Sequence, residues 1–224
     1  MIRRLRRVAR TTIRAYLTLL AASAGLAAKA SQSHRREAPR RILVIRLDLL
    51  GDVLYSLSTV LGLREVYPEA EIDMLVLPYA ASVARASSAP DRVIEFDSNR
   101  IRSVRGLLDA GTWREYFAAW RSVRSRRYDV VISLTGRTAS LIAVLSGARR
   151  RLGYAAEAYP FTLTDAVPGG RFVWRMPEAE YVMRLLEPLG IRTKPSISAL
   201  NVGEPARSTV AGLLEPTGIN PDDR

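Results

Sequence analysis

The chain has 224 residues, 48% apolar and 25% charged, a globular composition that excludes collagen-like, mucin-like and wholly disordered chains. It contains no cysteine and a single histidine, His34, which excludes disulfide scaffolds, thiolate metal sites and cysteine nucleophiles, and leaves a Ser-His-Asp triad only a histidine in the polar stretch SQSHRREAPRR. The formal charge of +12 is uneven: residues 1–41 hold 11 Lys/Arg against one acid, residues 42–224 hold 23 against 21, so the basic character belongs to an arm and says little for nucleic-acid binding by the body.

In the arm, Ile2, Leu5, Val8, Ala9, Ile13 and Tyr16 recur at helical spacing, with Arg3, Arg7, Arg10 and Arg14 on a separate stripe. The uncharged stretch Ala15 to Ala28 that follows is shorter than the roughly 20 residues needed to span a bilayer core. Residues 1–30 therefore read as a basic amphipathic helix suited to an anionic membrane surface at the cytoplasmic leaflet. A cleavable secretory signal ending near Ala28-Lys29-Ala30, or a helix packed on a partner, fits the same residues. Residues 31–40 read as linker.

The body opens with ILVIRL (Ile42 to Leu47), an apolar β-branched run broken only by Arg46, the signature of a buried parallel strand. The turn Asp48 to Asp52 leads into a helix traced by Val53, Leu57, Val60 and Leu61 that ends near Pro68, and Ile72 to Leu77 forms the next strand. This is a strand–helix–strand unit of the length a right-handed crossover needs. Val93 to Phe96 is a short strand, Ile101 to Arg127 a helix with a break at Gly111, and Asp129 to Leu134 another buried strand. Arg137 to Ser146 reads as a helix leading to GARRRLGY, FTLTDAV as weakly extended, and Pro177 to Leu189 as a helix with Pro177 in its first turn. The alternation predicts an α/β doubly wound, Rossmann-like parallel sheet over residues 41–200.

In such sheets ligands bind beyond the carboxyl ends of the strands. Two loops carry polar chemistry there, Asp48 to Asp52 and Thr135-Gly136-Arg137, and both are expected to face one crevice. Gly51 would allow a tight turn and close approach of a ligand. Asp52 reads either as an N-cap or as a functional carboxylate, and Asp48 as a turn former or a base. The turn lacks the G-x-G-x-x-G fingerprint and no P-loop is present, which counts against a bound dinucleotide cofactor.

The stretch RILVIRLDLLGDVLYSLSTVLGLREVYPEAEIDMLV resembles the opening of glycosyltransferase family 9, the lipopolysaccharide heptosyltransferases, through Arg46, Gly51, Asp52, Tyr67, Pro68, Ala70, Ile72 and Asp73. YDVVISLTGRTASLIAVLSGARRRLGY is similar to the family's second block, and PEAEYVMRLLEPLGI returns to it weakly. The resemblance implies the N-terminal half of a GT-B fold: an acceptor-binding domain whose nucleotide-sugar donor, ADP-heptose-like, is held mainly by a second domain, with no resident cofactor or metal. It implies Asp52 as the general base of an inverting transfer to a lipid-linked saccharide, with Gly51, Asp48, Thr135, Gly136 and Arg137 lining the acceptor site. Residues 201–224 then resemble the start of an interdomain linker, the donor domain being absent from the sequence, and the protein is expected in the cytoplasm, peripheral on the inner membrane. A non-catalytic saccharide- or lipid-headgroup-binding module is the alternative reading.

Overall fold

The structure, a computed structural model, describes residues 38–217 except 101–102, 172, 174–175 and 197. The basic arm, residues 1–30, lies outside the described residues.

Six parallel strands form one sheet: β1 (Arg41–Arg46), β2 (Glu71–Val76), β3 (Arg92–Glu95), β4 (Val130–Ser133), β5 (Arg150–Tyr154) and β6 (Asp165–Val167), in the order β3-β2-β1-β4-β5-β6. The helices are α1 (Leu50–Val66), α2 (Ala81–Ala86), α3 (Val104–Leu108), α4 (Ala110–Ser125), α5 (Arg137–Leu145), α6 (Glu178–Arg184) and α7 (Glu204–Leu214). Side chains alternate across each strand. Ile42, Val44, Ile72, Met74, Val130, Ile132 and Leu152 are buried with α1 and α6, whereas Leu43, Ile45, Leu75 and Val131 are buried with Val123 of α4 and Ala139 and Ala143 of α5. The sheet is thus covered on both faces, as the continuous apolar runs of its strands require. Among the described residues no helix is long and apolar enough to cross a membrane.

Helix α1 explains its own weak apolar periodicity. It lies between the sheet and α6, so Ser56, Ser58, Thr59 and Gly62 are buried along with Val53, Leu57, Val60 and Leu63. The hydroxyls are satisfied: Ser58 donates to the Ser196 carbonyl at 2.7 Å and Thr59 to that of Val182 at 3.3 Å. At Gly62 a Cβ would stand 2.8 Å from Met183 Cε and 3.0 Å from Thr193 Oγ1, so the absent side chain sets how closely α6 approaches.

Five details depart from the sequence reading. The helix expected over 101–127 divides at Asp109 instead of Gly111, because the Asp109 carboxylate caps α4 by accepting from the N–H groups of Gly111 and Thr112 at 3.1 and 2.9 Å. The Arg-rich segment after α5 is a strand, β5, in which Arg151 is 1% exposed and donates from Nε to the Thr162 carbonyl at 2.6 Å and from Nη1 to that of Ala148 at 2.8 Å. FTLTDAV divides into a 3₁₀ turn and the short β6, and α6 stops at Arg184, with a separate 3₁₀ turn at Glu187–Leu189 ending on Gly190 at φ 82°. Helix α2 has no counterpart in the expected elements.

Candidate functional site: a carboxylate–guanidinium cluster at the sheet's switch point

The chain runs from β1 outward through β2 to β3, then crosses back to place β4 on the other side of β1. The loops after β1 and β4 therefore leave in opposite directions and open a crevice between them. Its two sides touch, as the sequence predicts: Thr135 Oγ1 donates to Asp48 Oδ2 at 3.2 Å.

Arg46 ends β1 on the same face as Ile42 and Val44, so the alternation that buries those residues also buries its guanidinium, which is 0% exposed. Burying a cation is tolerated only when it is paired. Arg46 Nη2 lies 3.0 Å from Asp52 Oδ1, 2.8 Å from Glu178 Oε1 and 3.6 Å from Asp48 Oδ2. A second cation completes the set, with Arg171 Nη2 3.0 Å from the same Asp52 Oδ1 and 2.7 Å from the same Glu178 Oε1. Two nitrogens and two oxygens thus alternate around a four-membered ring of charge, with Asp48 beside it, 3.8 Å from Arg171 Nη1. Bonding to Glu178 and the nearby Asp52 and Asp48 charges raise the Arg171 pKa, outweighing the burial that lowers it, so the cation stays charged.

Asp52 also has a structural task. Leu49, extended at φ −66° and ψ 160°, is the residue before α1, and Asp52 sits in the helix's first turn, where its Oδ2 accepts from the Leu49 N–H at 3.2 Å. This corrects the N-cap expectation: the carboxylate reaches back from the third helical position, as the second half of a capping box does. One oxygen is fixed by the helix start, the other by two cations.

Gly51 lies inside α1 without a left-handed φ, so the expected tight turn is not its role; a Cβ there would meet nothing within 4 Å, and the position borders open space. Gly136 does need glycine, at φ 82° just before α5. Arg137 is exposed and stands apart from the charge ring, its Cζ 5.4 Å from the centroid of the Tyr159 ring. The structure thus brings Asp48, Asp52 and Thr135 together, keeps Gly51 and Gly136 open beside them, and places Arg137 on a neighbouring aromatic surface.

Glu178 and Arg171 are absent from the sequence-derived site. Glu178 carries a faint signal, an acid after Pro177 at a helix start. Arg171 carries none, since arginines in a loop are ordinary.

No protein-family model matches the chain. It is 23% identical over 123 residues to the lipopolysaccharide core heptosyltransferase OpsX of Haemophilus influenzae, covering 54% of this chain and 32% of that protein. It is 30% identical over 108 residues to lipopolysaccharide heptosyltransferase 1 of Salmonella typhimurium, covering 47% and 33%. Its likeness is to the glycosyltransferase family 9 heptosyltransferases. In three dimensions it superposes on the family 9 glycosyl transferase of Veillonella parvula with a TM-score of 0.64 and 21% identity over 82% of this chain and 51% of that one. On E. coli heptosyltransferase WaaC with ADP-2-deoxy-2-fluoro heptose the TM-score is 0.58, with 22% identity over 70% and 50%. The chain's matches span about a third of the curated relatives' length and about half of the structural ones. The Rossmann-like fold anticipated from the sequence is the fold these structures share with it.

Proposed function

We propose that the chain is the acceptor-binding portion of an inverting glycosyltransferase that moves a sugar, a heptose, from an ADP-sugar to a lipopolysaccharide-core-type acceptor. The observation that carries this is Asp52: a carboxylate 15% exposed at the crevice where open parallel sheets bind ligands, in a chain similar to heptosyltransferases. An acceptor hydroxyl in the space beside Gly51 gives its proton to Asp52 as its oxygen attacks the anomeric carbon. The bond from that carbon to the diphosphate oxygen breaks, and ADP leaves with the electron pair. Arg46 and Arg171 hold Asp52 in register, Asp48 and Thr135 line the acceptor side, and Arg137 pairs with an acidic group on the acceptor.

The nucleotide sugar is held mainly by a second domain outside these residues. The arm, residues 1–30, keeps the protein on the cytoplasmic face of the inner membrane, where a lipid-linked acceptor is concentrated.

The test is transfer by the complete enzyme carrying Asp52→Asn or Asp52→Ala. Removing a general base costs about 10²–10⁴-fold in rate, and acceptor binding by the 224-residue chain should survive the Asn variant. Undiminished turnover in both variants would remove Asp52 from the chemistry. Acceptor binding by the chain with no dependence on a nucleotide sugar would then make it a saccharide- or headgroup-binding module.

A further inference from the structure

Helix α4 carries an apolar stripe that is exposed among the described residues. Thr112 and Val123 face inward and are buried. Trp113, Phe117 and Trp120 follow at i, i+4 and i+7 on the outer side and are 42%, 56% and 37% exposed. Trp120 donates its indole N–H to the Leu145 carbonyl at 3.1 Å, and the Phe117 and Trp120 ring centroids lie 5.1 Å apart. The patch therefore runs on to the exposed Leu145 of α5.

Within α4 the charges bordering the stripe have one sign, and the exposed Asp109 just before it is engaged in capping the helix, accepting from the Gly111 and Thr112 N–H groups. At about 100° per residue Arg114, Arg121 and Arg124 border the stripe, while Glu115, the helix's acid, falls on the far side and pairs with Arg100. Arg149, just past Leu145, is exposed as well. Arg41 Nη1 donates to the Arg126 carbonyl at 3.1 Å, so the segment with 11 Lys/Arg and one acid, residues 1–41, joins the body beside the C-terminal end of α4.

Tryptophan, phenylalanine and leucine rimmed by arginine is the pattern of a helix that lies in a membrane interface. A second copy of the chain, or its own basic arm, would bring more positive charge to a positive rim, whereas acidic lipid neutralises it. We propose that the α4 face docks on an anionic bilayer, with Trp113, Phe117 and Trp120 at the headgroup–acyl boundary and Arg114 and Arg121 on lipid phosphates. The bilayer contact then has two parts, the arm and a rigid face of the folded body.

The test uses the full chain carrying Trp174→Phe, which leaves Trp113 and Trp120 as its tryptophans, and vesicles of phosphatidylcholine and phosphatidylglycerol. The expected result is a blue shift on binding and quenching by brominated acyl chains, both lost in high salt. In the full chain, Trp113→Ser/Phe117→Ser/Trp120→Ser should weaken partition by at least about tenfold, with far-UV circular dichroism unchanged. Arg114→Glu/Arg121→Glu should weaken it on anionic vesicles only. Binding without bromine quenching assigns the contact to the arm alone and overturns the proposal, and it decides the matter even if the triple variant misfolds. Emission already blue and shielded from iodide before vesicles are added would show the face covered by the arm or a second copy, and would overturn it too. Sugar transfer is read nowhere in this experiment, so its outcome is independent of the catalytic reading.

Discussion

Replacing Arg46 by methionine, a side chain of similar reach without charge, tests the charge ring directly. The change leaves Asp52 and Glu178, 15% and 18% exposed, sharing Arg171 alone, with Asp48 close by. Uncovering a buried charge in this way costs about 3–5 kcal/mol. The low end applies, because Arg171 still serves both carboxylates. Against it stands a gain, since Arg46 Nε and Nη1 are buried without a hydrogen-bond partner and their removal returns on the order of 1 kcal/mol each. The net expectation is a loss of about 1–3 kcal/mol, or a drop of about 0.5–1.5 M in the urea midpoint for a slope near 2 kcal/mol/M. The decisive measurement is the cycle with Asp52→Asn. Alone, that substitution removes a partner of both guanidinium groups and destabilises; on the Arg46→Met background it removes a repelling charge and should be neutral or stabilising. A coupling of at least about 1 kcal/mol is expected for groups in one network. Additive effects would show that the ring does not hold Asp52 and would refute the reasoning.

Two further perturbations probe the rest of the molecule. Burial raises the pKa of Tyr128, Tyr154 and Tyr181 above the ordinary 10.0, helped at Tyr128 by its hydrogen bond to Asp73 and at Tyr181 by that to Glu157. Their stabilisation is therefore complete below pH 10 and declines above it, where the unfolded chain loses these protons and the folded one keeps them, by up to about 1.4 kcal/mol per pH unit for each residue. Urea midpoints should fall across that alkaline range, with the phenolate absorbance of these three appearing together with loss of circular dichroism; their earlier, independent titration would contradict the packing described. Gly62→Val should cost about 1–3 kcal/mol by forcing α6 away from α1, lowering the melting temperature by about 2–4 °C per kcal/mol. An unchanged melting curve would mean that Met183 and Thr193 do not define that contact.

The sheet was readable because its strands are buried on both faces, and runs such as ILVIRL and DVVISL can be little else. Where polar residues do apolar work, the pattern fails. Strand β5 is hidden by Arg150 and Arg151, whose guanidinium groups donate mainly to partners distant in sequence, Arg150 to Asp165 and the Pro188 carbonyl and Arg151 to the Thr162 carbonyl as well as to the nearer Ala148 carbonyl, with Arg151 Nη2 left buried and unpaired. The helix break falls at Asp109, two residues before the glycine that marks it in the sequence, because the capping carboxylate rather than the glycine sets the boundary. In the site, Asp48, Asp52 and Thr135 could be grouped because they belong to loops at one sheet edge. Glu178 reaches Arg46 from 132 residues away in the chain. That partnership depends on how α6 packs over α1, a contact set by a missing side chain at Gly62 and by no motif.

The charge ring also separates two electrostatic jobs by distance. Seen from afar the 224-residue chain is a polycation of formal charge +12, and its field draws any polyanionic surface or solute inward. At the crevice floor the sign reverses, because Arg46 and Arg171 face Asp48, Asp52 and Glu178, two cations against three anions. A bare anion gathered by the long-range field gains nothing by descending to Asp52. A neutral hydroxyl does, since it can donate to the excess acceptor oxygens there. Attraction is general at the rim and selective at the floor, so an acidic molecule is led to enter with its uncharged end first.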